Sequence, residues 1–241
     1  MAVASTVRQV SAMLKRALIV ATAFLSIATY AKADVLVGTP SSGDVQDCVP
    51  FGCGINSQFI FDSSYFSGPI SISELKFFNS AVDVPDTFDP GTYTFKLSTS
   101  ANDYLTPSST FANNVGANVQ LFATVVIAGG AVPPVFSFTG TPFNYNPASG
   151  DLLLEIDKTG SASTFSAFTD YNGPADANFK VSRVWNTDGT ATGNIDINYG
   201  PVVQFGTGAA AVPEPMTLTL TGLGLAGFAA RRLKKGRKQS S

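Results

Sequence analysis

Between positions 34 and 211 apolar and polar residues alternate in short runs, broken by Gly, Pro, Asn, Asp and Ser. A period of two is the signature of a β-strand with one buried face. It is clearest over residues 92–98, where Tyr93, Phe95 and Leu97 point one way and Thr92, Thr94 and Lys96 the other. Residues 70–78 alternate as Ile70 and Ile72, then resume as Leu75 and Phe77 one residue out of phase. That slip predicts a β-bulge near Ser73 and Glu74. Further strands are expected over residues 58–62, 119–127, 135–138, 152–156, 164–169, 179–186, 194–199 and 202–205. Asp188 and Gly189, between two of these runs, predict a hairpin. No helix-period segment and no internal repeat interrupts about ten strands, so the expected fold is all-β, an antiparallel β-sandwich of jelly-roll type. Most of these strands are shorter than the roughly 9–11 residues that a membrane-spanning barrel requires, and the loops are Pro-rich.

The two ends read differently. Residues 1–16 are basic, residues 17–29 (ALIVATAFLSIAT) are apolar, and Ala31 and Ala33 occupy the small-residue positions of an A-x-A cleavage site. This is the order of a secretory signal peptide, and cleavage would leave Asp34 first. A run of this length is short for a hydrocarbon core of about 30 Å. At the other end Pro213-Glu214-Pro215 precedes the apolar residues 216–230 (MTLTLTGLGLAGFAA), and a basic cluster from Arg231 and Arg232 to Lys238 follows. The expected organisation is a signal peptide (1–33), a β-sandwich body (34–211) and a C-terminal segment of motif, apolar run and basic tail (212–241), with a helix at each hydrophobic end. At a rise of about 1.5 Å per residue the second helix is short for a full span, which suits transient inner-membrane insertion with the basic cluster on the cytoplasmic side.

The C-terminal arrangement of motif, short apolar segment and basic stop resembles the PEP-CTERM sorting signal of exopolysaccharide-producing Gram-negative bacteria. Its basic tail is longer than usual, and Thr217, Thr219 and Thr221 make its apolar segment more polar. The stretches 88–98 and 143–156 are similar to a recurrent cargo domain of the same class. The resemblance implies processing by signal peptidase and then by an exosortase, a membrane-embedded cysteine-protease-like enzyme that cleaves near the motif. It also implies delivery to the cell surface or extracellular matrix. The cargo of this class is varied, so the signal implies an address and no particular activity.

Charge sharpens the picture of the body. The net charge of -2 includes four basic residues in 1–33 and six in 212–241, leaving 5 basic against 16 acidic residues in 34–211, a net of -11. Such a body repels phosphate backbones, and nucleic acid is not an expected partner. The chain has no His. That removes Ser-His-Asp and Cys-His nucleophiles, imidazole metal sites and histidine proton shuttles.

What chemistry remains is modest. Cys48 and Cys53 flank a Pro/Gly turn, and in an exported chain they are expected to form a local disulfide, since their spacing is not that of a thiol oxidoreductase. Asp170, Asn172 and Asp176 offer oxygen ligands for a structural calcium, as do Asp83, Asp86 and Asp89. Both groups are also ordinary turn formers, so no cofactor is expected beyond this calcium. A glycosidase pair would have to use Glu74 and Glu155, the body's two Glu residues, each better explained as a solvent-facing strand position. Trp185, with Tyr104, Tyr145 or Tyr171, would stack on a sugar ring if exposed together. The expectation is a non-enzymatic surface or matrix protein with a structural or adhesive role in exopolysaccharide or biofilm. A carbohydrate-binding module is the alternative, and a glycan hydrolase or lyase the third reading.

Overall fold

The structure, a computed structural model, describes residues 33–40, 45–80, 86–160, 167–173 and 178–207. Ala31, the sorting residues Pro213, Glu214, Pro215, Arg231 and Arg232, both expected terminal helices, Asp83, Asp176 and residues 164–166 lie outside the described residues.

The fold is all-β with antiparallel sheets. With strands numbered in chain order, one sheet has six strands: β11 (Asn194–Ile197), β10 (Val181–Asn186), β3 (Asn56–Phe61), β8 (Leu152–Thr159), β5 (Gly91–Thr99) and β6 (Gln120–Ile127), in that order. The second has four: β1 (Val35–Val37), β13 (Val203–Gly206), β4 (Ile70–Phe78) and β7 (Val135–Tyr145). A small third sheet orders β12 (Gly200–Pro201), β9 (Thr169–Asn172) and β2 (Val45–Asp47).

The alternation sets which side chains meet. Directly paired residues share a face, so the register brings Tyr93, Phe95 and Leu97 of β5 alongside Lys158, Ile156 and Leu154 of β8. Phe59 and Phe61 of β3 continue the same face opposite Leu154 and Leu152. Across the interior these pack on the second sheet: Phe95 meets Phe138 at 4.7 Å and Phe61 meets Phe205 at 5.0 Å between ring centroids. Two sheets thus enclose one aromatic core in a sandwich-like arrangement. The slip in β4 is a real irregularity, with the register to β7 shifting between Ile72 and Glu74, so that Ile70, Ile72, Leu75 and Phe77 are all buried. The bulge keeps the apolar set on the core side.

Strand β7 runs well past the expected 135–138, through Gly140 and Pro142. Both residues fit their places. β7 is an edge strand, where Pro is tolerated, and a Cβ on Gly140 would lie 2.4 Å from the Phe122 carbonyl of β6. The two large sheets approach each other at this side, and Gln120 Nε2 donates to the carbonyls of Thr141 and Pro142. The Asp188-Gly189 pair does lie in a hairpin, between β10 and β11, but the connection is longer than a two-residue turn. Asn186 organises it by donating to the carbonyls of Thr190 and Thr192 and accepting from Gly189 N, whose φ of 71° is where glycine is favoured.

Candidate functional site

The outward face of the six-stranded sheet carries a polar cluster. The same register that sends Tyr93, Phe95 and Leu97 inward turns Lys96 outward, opposite Glu155, which is itself opposite Gln58. Two residues along β8, Asp157 stands opposite Asn56. The Lys96 ammonium donates to Glu155 Oε1 at 2.6 Å and to Asp157 Oδ2 at 2.7 Å, bridging the two carboxylates. Asn56 Nδ2 donates to Asp157 Oδ1 at 2.9 Å, and Gln58 Nε2 donates to Glu155 Oε2. Partial burial draws the Lys96 pKa down. The hydrogen bonds to Asp157 and Glu155 outweigh it and hold the ammonium above its ordinary value.

Two loops wall this cluster in. On one side the connection from β5 to β6 folds back over the sheet, fastened by the fully buried Asn114, whose Nδ2 donates to Gln58 Oε1 at 2.9 Å and to the Ser108 carbonyl at 2.8 Å. On the other stands the β10–β11 connection. The two loops hold each other, with Phe111 N donating to Ala191 O at 3.1 Å and Gly193 N to Ser109 O at 2.8 Å. Between them is a cleft of about 760 Å³, with Lys96, Glu155, Asp157 and Asn56 as its floor and Phe111, Val115, Val119 and Ala191 on its sides. Sequence reasoning missed it. The signal available was Glu155 and Asp157 two apart on a strand whose alternate residues are apolar.

A second cluster lies on the inward face at the other edge of the same sheet, beneath the small sheet. Arg183 pairs with Asp196 (Nε to Oδ2, 2.7 Å) and Asp47 (Nη1 to Oδ2, 2.9 Å). Around its guanidinium stand the rings of Tyr199, Trp185 and Tyr171 at 4.4, 4.8 and 5.4 Å. Burial works against the Arg183 charge, but Tyr171, Asp47 and Asp196 outweigh it. Tyr199 donates to Asp47 Oδ2 at 2.8 Å, and burial followed by that carboxylate pushes its own pKa up. Trp185 Nε1 donates to Asp196 Oδ2 at 2.9 Å. Trp185 is therefore engaged by Arg183 and Asp196. Tyr145 and Tyr171 are buried and Tyr104 sits on the β5–β6 connection, so the four aromatic residues do not form one exposed stacking surface.

The other expected positions are tied into the body. Cys48 and Cys53 form a disulfide with Cα atoms 5.3 Å apart. Asp47 lies beside both sulfurs, the one grouping of metal-ligating side chains among the described residues, but the disulfide leaves no thiolate to bind with. Asp170 is fully buried, and its two oxygens accept from Ser80 N at 2.8 Å and Ser80 Oγ at 2.6 Å. Asn172 Oδ1 accepts from Thr39 N. In the acidic loop Asp89 pairs with Lys158 at 2.7 Å inside the core. Asp86 is bonded by Asn79, and its pKa is raised by burial. Glu74 and Glu155 belong to different sheets, so the carboxylates that meet are Glu155 and Asp157, joined through Lys96.

No curated protein and no solved structure matches the chain. The family model of the PEP-CTERM protein-sorting motif matches residues 211–235, which takes in Pro213-Glu214-Pro215, the apolar segment and Arg231-Arg232. That motif is the mark of a protein exported through the membrane toward the cell surface and sorted by an exosortase. The chain carries a PEP-CTERM protein-sorting motif at residues 211–235.

Proposed function

We propose that the chain is a precursor whose body, residues 34–211, is a non-enzymatic sandwich of jelly-roll type. It serves a structural or adhesive role in the extracellular matrix or biofilm of a Gram-negative bacterium. Signal peptidase removes residues 1–33 after Ala33, and an exosortase cleaves near Pro213-Glu214-Pro215. The observation that carries this reading is the sorting motif at residues 211–235. The body supports it in a more general way. It is fastened by a disulfide, which persists in oxidising compartments outside the cytoplasm. Its charge of -11 suits solubility among surface polymers and disfavours nucleic acid.

The test is fractionation followed by mass spectrometry of the mature C-terminus, for wild type and Glu214→Ala. The expected result is an extracellular form lacking the apolar and basic segments, with the variant retained in the membrane. A mature extracellular form that still carried residues 216–241 would overturn the sorting reading. A carbohydrate-binding role is the second reading, and the cleft over β3, β8 and β5 favours it.

A further inference from the structure

We propose that this cleft is a binding site for an uncharged polysaccharide chain, held by its hydroxyl groups over the Lys96, Glu155 and Asp157 floor. The proposal rests on the reading of the body as a matrix protein and names its ligand class. Four features of the site carry it. The first is size: about 760 Å³ lies within the range of ligand clefts, roughly 300–1,000 Å³. The second is the floor, where donors and acceptors alternate at strand spacing. A lysine ammonium has three donors, and two are used on Glu155 and Asp157, which leaves one to give. The carboxylates keep lone pairs to receive. A hydroxyl both gives and receives, so adjacent sugar hydroxyls match this floor where a simple anion or cation does not.

The third feature is charge. One lysine against two carboxylates leaves the floor at -1, in a body of -11. Polyuronates and phosphates are repelled, while the Lys96 ammonium in the centre keeps a metal ion out. The fourth is the walls. Phe111, Val115, Val119 and Ala191 offer apolar surface to the C–H faces of a sugar ring, and exposed Leu121, opposite Lys96 on β6, extends that surface along the sheet. The floor is also rigid beforehand. Gln58 is fully buried and bonded to Glu155, Asn114 and the Phe111 carbonyl, so binding costs little ordering of the protein.

The test is affinity electrophoresis and isothermal calorimetry of the full-length chain in octaethylene glycol monododecyl ether, so that the result does not depend on processing and no sugar headgroup competes for the cleft. The probes are barley β-glucan, galactomannan and alginate. Two variants accompany wild type. Lys96→Met unbridges the floor, and Ala191→Trp fills the cleft from an exposed wall position without touching the core. The expected result is binding of at least one of the two uncharged polymers, weakened at least tenfold in both variants, with the melting temperature of Ala191→Trp unchanged. Three outcomes overturn the proposal: no binding of either uncharged polymer, binding that survives Ala191→Trp, or alginate binding that Ala191→Trp abolishes. None of these bears on export, which the mature C-terminus decides separately.

Discussion

The disulfide loop does more by what it carries than by the bond that closes it, and the two contributions can be separated. Residues 48–53 drop Phe51 between the sheets, where it is fully buried against Phe77 at 5.0 Å, Phe136 at 5.2 Å, Tyr93 at 5.7 Å, Phe138 at 5.8 Å, Phe88 at 5.9 Å and Phe95 at 6.5 Å. Truncating a buried Phe to Ala costs about 3–5 kcal/mol, and the upper half applies where the surroundings cannot collapse. Here all of these rings but Phe88 stand on strands of the two large sheets, fixed by their ladders. The disulfide closes a short loop, with a sequence separation of 5, and the chain-entropy relation assigns about 2 kcal/mol to a loop that small. Phe51→Ala, with its disulfide intact, should therefore be less stable than Cys48→Ser/Cys53→Ser. For a body of this size about 2–4 °C accompanies each kcal/mol, so the first variant should melt about 8–20 °C below wild type and the second about 4–8 °C. Circular dichroism melts in non-reducing buffer read both. The triple variant should lose less than the sum, because a loop without its ring has little left to hold in place. If the double serine variant melts below Phe51→Ala, the loop acts chiefly as a covalent staple and the reasoning is wrong.

The buried pair of Lys158 and Asp89 yields a second expectation. Lys158→Met removes the cation that faces the buried Asp89 carboxylate at a cost of about 3–5 kcal/mol in urea denaturation, and adding Asp89→Leu should recover most of it. A double variant as unstable as the single one would show that the partners do not depend on each other. Burial, the largest cause in each case, raises the pKa of Tyr93, Tyr145, Tyr171 and Tyr199 above the ordinary value of 10.0. The folded state therefore favours their protonated form. The stability they contribute is complete below pH 10 and is lost as pH rises beyond it. Tyrosinate absorbance should appear together with the loss of circular dichroism; ionisation of these tyrosines in a still-folded protein would contradict this. Calcium should leave the melting temperature as it is in EGTA, because Ser80 already occupies both oxygens of Asp170. A rise in millimolar calcium would support a calcium site at Asp170, Asn172 and Asp176 instead.

Alternation was enough to place most strands, because a strand with one wet face records its orientation in every second residue. Even the bulge in β4 was legible, since Leu75 and Phe77 must stay in phase with the core. The short strands β1, β2 and β12 were not, having too few residues for a period to show. β7 was half legible, because Gly140 and Pro142 interrupt the pattern for reasons that exist only once β6 and the sheet edge are in place. The candidate site divides in the same way. Lys96 could be assigned to an outward face and Glu155 to a strand. Their meeting depends on β5 lying beside β8, a pairing across a sequence distance that no local pattern records.

The fate of the body's few cations links the site to the address. Of the five basic residues between 34 and 211, four are engaged by carboxylates: Lys96 by Glu155 and Asp157, Lys158 by Asp89, Lys180 by Asp62 and Arg183 by Asp47 and Asp196. Most of its positive charge is thus consumed internally, and the excess of acidic groups sets the field that an approaching polymer meets. The six basic residues of 212–241 oppose that field in the precursor. A polyanion that adheres to the full-length chain should therefore do so through its basic ends, residues 1–33 and 212–241. Its binding should fall steeply with salt, because surface charges are screened over about 8–10 Å at ordinary ionic strength, and it should ignore Ala191→Trp. An uncharged glycan held by hydroxyls in the cleft should show the opposite pair of responses, little dependence on salt and full dependence on the wall.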